Sequence, residues 1–335
     1  KNHIVFRKSN IFLKLIYFFI SLIKMMPMQN GFFYSSKIKK FVDLNYKNYD
    51  IIICHLIRSV QYIPEAFKGK KILEMTDTFS SNYKQTIKTM SIFNPLAIIY
   101  YLEKILVKKY EKFCLEFFDK IILVSKKEFL KSLNLKKSKK LYEVANGVKI
   151  QKKKFKFKNN NFKVLFTGNI KYLPNKYACY NFARQILPKI NKIYPAIEFH
   201  IIGEINFLDR FLLSLLKNTK VFGKMKNLTS AINGSICGLA NLNISTGSQI
   251  KVLTYASFGL PAVCSKKVFS SLINRRKKPN FLYYKNEKQL IDLIIKLKEQ
   301  KKYSEKISSI SHNYVKQFSW NKVLSKYSKY AGISI

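Results

Sequence analysis

The chain has 335 residues, length for about two domains, and carries 62 Lys+Arg against 18 Asp+Glu, a formal net charge of +44 at pH 7. At 47% hydrophobic and 15% aromatic it is too apolar for a disordered polycation or a histone-like tail. Only six of the cations are Arg (Arg7, Arg58, Arg184, Arg210, Arg275 and Arg276), which argues against a nucleic-acid partner, because base and phosphate readers rely on the bidentate guanidinium fork. The lysines are spread along the chain, as compositional bias would place them. They also suit attraction to anionic lipid or a lipid-linked phosphate, each adding about 1 kcal/mol near such a surface.

In chain order, the first long apolar run is Ile11 to Ile23, too short for the roughly twenty residues of a spanning helix. A buried helix is its commoner fate, and a helix lying on a membrane surface is the alternative. Strand-like runs follow at Ile51 to Cys54, Ile72 to Met75, Ile121 to Val124 and Tyr142 to Val144, with a helix predicted over Pro95 to Phe118 behind Asn94 as its cap. Residues 145–161 (ANGVKIQKKKFKFKNNN) combine a turn dipeptide, a Lys run and an Asn run, the composition of a solvated linker.

Alternation then resumes. Strands are predicted at Val164 to Thr167, Glu198 to Ile202, Lys220 to Phe222, Cys237 to Leu242 and Pro261 to Cys264, and helices around Tyr177 to Ile193, Leu208 to Leu216 and Ser248 to Phe258. Strands alternating with helices imply α/β architecture with parallel sheets, here two Rossmann-like domains facing across a cleft. The boundaries read as 1–147, a linker 148–161, a second domain 162–310 and a carboxy-terminal helix, 311–335, returning to the first domain.

In open parallel sheets the informative residues follow the strands. Gly168, Asn169 and Lys171 follow one; Gly247, Ser248 and Lys251 follow another and open a helix, where free N–H groups and the positive end of the dipole favour a diphosphate. On the first-domain side His55 and Arg58 follow one strand and Asp77 another. The five Cys contain no CxxC and the four His are isolated, so no metal site is expected, and no Asp-x-Asp holds a nucleotide through Mg or Mn.

The segments FTGNIKYLPNKYA, YPAIEFHIIGE, VFGKMKNLTSAI, STGSQIKVLTYASFGLPAV and a late FSW resemble, in order and spacing, the donor-binding domain of family 4 glycosyltransferases of the GT-B fold. The resemblance covers roughly Lys163 to Tyr330 and is nearest to bacterial transferases of exopolysaccharide and cell-surface glycan assembly. It implies a donor loop at Gly168 and Asn169, a base edge at Val221, Phe222 and Gly223, and a diphosphate site at Gly247, Ser248 and Lys251. It also implies catalytic roles for Lys251, His55 and Asp77, and an acceptor-side Arg58.

Two threonines depart from the family pattern. Thr246 and Thr254 stand where two glutamates are usual, and Thr254 is a weaker acceptor for ribose hydroxyls than a carboxylate. No strand and Gly-rich loop precede Ile51 convincingly, so the first domain reads as incomplete.

The resulting expectation is a metal-independent, cofactor-free, retaining glycosyltransferase at the inner face of the cytoplasmic membrane. Its partners would be a nucleotide-sugar, a lipid-linked or glycan acceptor and an anionic membrane surface. The alternative is a catalytically silent module that binds a glycan or a partner enzyme.

Overall fold

The structure is a computed structural model that describes residues 4–6, 10–88, 90, 94–152, 155–243, 250–272 and 281–333. The chain forms two compact units, Lys1–Ala145 with Leu324–Ile335, and Asn146–Val323.

The first unit opens with three helices, α1 (Ile11–Ile23), α2 (Met28–Phe32) and α3 (Ser36–Asn45). A parallel sheet follows, of strands β1 (Ile51–His55), β2 (Lys70–Met75), β3 (Lys120–Leu123) and β4 (Leu141–Glu143), in the order β1-β2-β3-β4. Helices α4 (Phe79–Ile87) and α5 (Leu96–Phe117) connect β2 to β3, and α6 (Lys126–Ser132) connects β3 to β4. Asn94 Oδ1 accepts the Leu96 N–H at 3.0 Å at the start of α5, as its place before Pro95 predicts. Ser125 caps α6, its Oγ accepting the Glu128 N–H at 3.3 Å, while Glu128 Oε1 accepts from Ser81 Oγ at 2.8 Å.

Two buried glutamates of α5 organise this unit. Glu103 accepts the N–H groups of Met28 (2.7 Å) and Gln29 (3.2 Å), which fixes the start of α2. Glu111 accepts from the N–H and hydroxyl of Ser80, which fixes the start of α4. Buried carboxylates persist where orphan helix donors satisfy them.

Helix α1 is not the buried helix that such a run commonly makes. Ser21 is its one buried residue, while Phe12 (68%), Phe19 (57%) and Ile23 (81%) are largely exposed. The first half of α5 likewise exposes Leu96, Ile98, Tyr101 and Ile105 beside Lys104 and Lys108.

The second unit contains β5 (Lys163–Thr167), α7 (Leu173–Asn181), α8 (Leu187–Asn191), β6 (Glu198–Ile202), α9 (Phe207–Ser214), β7 (Thr219–Phe222) and α10 (Thr229–Ile232). It continues through β8 (Ser235–Ala240), α11 (Ile250–Ser257), β9 (Ala262–Ser265), α12 (Lys266–Leu272), β10 (Leu282–Tyr284), α13 (Glu287–Glu299) and α14 (Lys301–Val315), while the last helix, α15 (Trp320–Ala331), starts in this unit and from Leu324 belongs to the first. Its parallel sheet runs β10-β9-β8-β5-β6-β7. From β5 the chain builds outward to β6 and β7, then returns to add β8, β9 and β10 on the other side. The order therefore switches direction between β5 and β8, the place where doubly wound sheets bind ligands.

Three expectations change in detail. The helix predicted around Tyr177 to Ile193 is three pieces, with a π turn at Phe182–Ile186 between α7 and α8. Pro188 supplies no N–H and its ring crowds the carbonyl four residues back, which a wider turn relieves. The strand predicted at Cys237 to Leu242 runs two residues earlier.

The segment 148–161, expected to be a solvated linker, lies on the second unit over much of its described length. Phe155 and Asn161 are buried, and the Gln151 and Phe155 N–H groups donate to Ser257 O and Phe258 O. Val148 forms a bridge to Ser319. The carboxy-terminal residues Leu324–Ile335 belong to the first unit, where the Lys70 and Lys120 ammonium groups donate to Ala331 O (2.6 Å) and Tyr330 O (2.7 Å). All five cysteines are free and buried.

Candidate functional site

The residues singled out in the second unit lie at the carboxyl ends of its strands. Gly168 follows β5, and its N–H donates to Ile202 O at 3.0 Å, tying the loop to the end of β6. Gly203, with φ 148°, must be glycine: a Cβ there would lie 1.7 Å from Gly168 O. The Asn169 side chain accepts the Lys171 N–H at 3.0 Å, while Asn169 O accepts from the Asn175 amide at 2.8 Å. Asn169 and Lys171 are exposed at this loop.

Lys251 stands in the first turn of α11. Its Nζ donates to Asn175 Oδ1 at 2.6 Å and lies 4.2 Å from the centroid of the Phe166 ring. A Cβ built on Gly168 would come within 3.6 Å of the same ammonium, so the residue after β5 and the cation of α11 meet at the switch point. Burial pushes Lys251 down to about 7, and among the described residues it is the Cys179 and Cys264 thiols, with no carboxylate, that oppose this effect. A cation held this way is poised to gain an anionic partner.

Tyr255 fixes α11 against the strands. Its fully buried hydroxyl accepts the Thr167 N–H at 2.7 Å and lies 3.2 Å from both Thr167 Oγ1 and Leu239 O. The Tyr255 ring lies on bare backbone, since a Cβ on Gly238 would stand 2.3 Å from it. Neither Asn175 nor Tyr255 is picked out by the sequence as a site residue. Asn175 sits inside the quoted FTGNIKYLPN motif, which was its available signal; Tyr255 gives none beyond being one residue from Thr254.

Thr254 is three residues past Lys251 and shares its side of α11, partly exposed, with its carbonyl accepting from Ser257 Oγ at 2.7 Å. Val221 and Phe222 close β7, two strands from β5, with the Phe222 ring 5.2 Å from that of His200, and Gly223 opens onto free space. They share the carboxyl edge with Lys251 without touching it. Gly247 and Ser248, together with Thr246, lie outside the described residues.

In the first unit, His55 ends β1 with Nδ1 3.2 Å from Glu74 Oε2 on β2. Asp77 follows β2, and burial, reinforced by the Glu128 charge, pushes its carboxyl up to about 6. Arg58 lies on the 3-10 turn Ile57–Tyr62, its Cζ 4.3 Å from the centroid of the Phe33 ring. Among the described residues no hydrogen bond or ion pair joins His55, Arg58 and Asp77 to one another; the sheet sets them at the ends of neighbouring strands. The described residues include no group of three His, Cys, Asp or Glu placed to hold a metal ion.

Residues 161–300, less than half of the chain, match the family model described as Glycosyl transferases group 1. No curated protein sequence matches the chain. Among solved structures, the chain is similar to TarM from S. aureus in a complex with UDP, fondaparinux and alpha-GlcNAc-glycerol (TM-score 0.65, 15% identity, 88% of this chain and 58% of that one). It is also similar to HepE from Anabaena in complex with UDP-glucose (0.63, 13%, 88% and 80%) and to sucrose-phosphate synthase from Thermosynechococcus elongatus (0.67, 12%, 88% and 76%). The chain thus spans less than two thirds of the length of TarM. With two parallel Rossmann-like sheets and these neighbours, the chain has the fold class of GT-B glycosyltransferases, and its second unit carries the match to glycosyltransferase group 1.

Proposed function

We propose that the protein is a glycosyltransferase that moves a sugar from a nucleotide-sugar to a lipid-linked or glycan acceptor in cell-surface polysaccharide synthesis, with retention and without a metal or other cofactor. The observation that carries this reading is Lys251: a half-buried cation at the sheet's switch point, oriented by Asn175 and, among the described residues, paired with no carboxylate. There it stabilises the charge that develops on a leaving diphosphate, as preorganised electrostatics require. Lys171 and, by their place in the sequence motif, Gly247 and Ser248 add donors, and the departing phosphate takes the acceptor proton, so no separate base is needed. Val221, Phe222 and Gly223 form the base edge, and Thr254 takes the ribose. HepE bound to UDP-glucose and TarM bound to UDP support a uridine nucleotide as the first donor to test.

His55, Arg58 and Asp77 form the acceptor side in this reading. The exposed apolar face of α1 and the lysine-flanked start of α5 support peripheral attachment to an anionic membrane on its cytoplasmic face, the arrangement of an interfacial helix. No helix among the described residues is long and apolar enough to cross a membrane. Thr254 favours a second reading, a silent module that binds without turnover. Thermal-shift titration of the full chain with UDP, GDP and ADP tests the donor site, because a ligand of the folded state stabilises it by mass action. Release of sugar from the donor that binds then separates enzyme from silent module. Stabilisation by none of the nucleotides contradicts the donor reading.

A further inference from the structure

The corner after β1 is strained. Leu56 holds φ 66° and ψ 155°, a region essentially reserved for glycine, and such strain persists where the surroundings enforce it. The enforcement is visible: the Leu56 N–H donates to Glu74 O at 2.8 Å, and Ser59 Oγ lies 2.9 Å from His55 O and 2.8 Å from Leu56 O, where its one proton bridges the two carbonyls. Two residues on, this corner presents Arg58 between two aromatic rings, 4.3 Å from the Phe33 centroid and 6.0 Å from that of Phe79.

Each ring is fixed from elsewhere. Tyr62 Oη donates to Phe33 O at 3.1 Å and accepts the Ser35 N–H at 2.9 Å, while Phe79 opens α4, whose start Glu111 holds. Gln61 Nε2 donates to both Arg58 O and Asn30 O at 2.8 Å, locking the turn to α2. The result is a guanidinium on a prepared aromatic platform.

What it lacks is an anion. Arg58 is half-buried, its Nε is buried without a hydrogen-bond partner, and among the described residues no carboxylate pairs with it. Among the first unit's acids Glu103 holds the start of α2, Glu111 holds Ser80 and Glu74 faces His55, and among the described residues no ion pair joins Asp77 to Arg58. Burial lowers the guanidinium below its ordinary value, and among the described residues the Tyr83 phenol counters it. A charge withdrawn from water and left unpaired is costly, so its retention in a rigid, strained setting points to a partner that arrives from outside.

We infer that Arg58 and the Phe33 ring form a binding site for an oxyanion, a phosphate or a carboxylate, carried by the acceptor. This rests on the reading of the first unit as the acceptor side. The planar fork matches either group in a bidentate pair, and the aromatic face holds the guanidinium plane while it binds.

The test uses the full chain saturated with UDP, which occupies the proposed donor site. Butyl phosphate and butyl glucuronide are titrated calorimetrically at an ionic strength of about 0.15 M, where loose surface attraction is screened. Wild type binds one of the two; Arg58→Gln loses at least about tenfold in that affinity, the loss typical of a charge-assisted pair. Arg58→Lys, which keeps the charge and loses the fork, falls between them, and Arg210→Gln in the second unit leaves the affinity unchanged. Binding of the phosphate alone identifies a phosphorylated acceptor, and binding of the glucuronide alone an acidic sugar. The inference is overturned if neither compound binds wild type, or if Arg58→Gln binds as well as wild type. If UDP itself fails to bind, the donor reading fails, and the comparison of Arg58 variants without UDP still decides this site.

Discussion

Lys251 Nζ and Asn175 Oδ1, separated by 76 positions in the chain, meet at 2.6 Å at the point where the second sheet reverses its order of strand addition. This bond joins the first turn of α7, the helix after β5, to the first turn of α11, the helix after β8, and the Asn175 amide also donates to Asn169 O in the loop after β5, so one side chain sets the cation's position and the loop's course.

Tyr255 holds that geometry from beneath. Tyr255→Phe leaves the buried Thr167 N–H without its acceptor, and an unmet buried donor costs about 1 to 3 kcal/mol. Chemical denaturation should show a loss of that size, with weaker nucleotide binding because α11 is no longer fixed to β5. Unchanged stability would mean that the hydroxyl contributes nothing.

Lys251 gives donor binding a pH dependence with a definite sign. Its ammonium titrates at about 7 in the unliganded protein and is favoured by a bound diphosphate. Affinity should fall as pH rises above 7, and binding near pH 8 should take up a proton, read by calorimetry in buffers of different ionisation enthalpy. Stability of the free protein moves the other way. The unfolded lysine, near 10.4, holds its proton through a window in which the folded one does not, so this group's contribution rises from about pH 7 to 10.

Thr254 lies one turn from Lys251 on the same side of α11 and is partly exposed. If it faces the ribose, Thr254→Glu supplies a stronger acceptor and should tighten UDP binding several-fold, with little change in melting temperature. A drop in both would mean that the substitution buries an unpaired charge and that the ribose lies elsewhere.

The first unit's exposed helix predicts membrane attachment. The protein should co-sediment with vesicles containing anionic lipid, less so at high salt and much less on neutral vesicles. Phe12→Glu with Phe19→Glu, on the exposed face of α1, should abolish most of the binding without unfolding the protein. Equal binding to both vesicle types, or to neither, would contradict the electrostatic account.

The alternating architecture was legible because β-branched runs such as those of β1, β3 and β6 are short and separated by helical periodicity. Less was legible where small residues replace that signal. In β8, SICGLA, the opening Ser235 does not read as strand; neighbouring backbone sets the strand's place, the Gly238 N–H donating to Pro261 O at 2.8 Å. Lysines concealed the packing of 148–161, where Phe155 and Asn161 are buried. At the site, Lys251 and Gly168 stood out by following strands. Asn175 and Tyr255 did not, because their roles depend on contacts made across the folded sheet, and Arg58's isolation from carboxylates is a property of tertiary packing alone.

The central claim, that Lys251 receives a nucleotide diphosphate, is tested most directly by calorimetric titration of UDP into wild type and Lys251→Ala. Loss of a charge-assisted bond worth about 1.5 to 3 kcal/mol predicts an affinity lower by roughly 10- to 100-fold in the variant. The variant should keep its fold, since alanine there removes a buried charge. Equal UDP affinity in the two proteins would contradict the account.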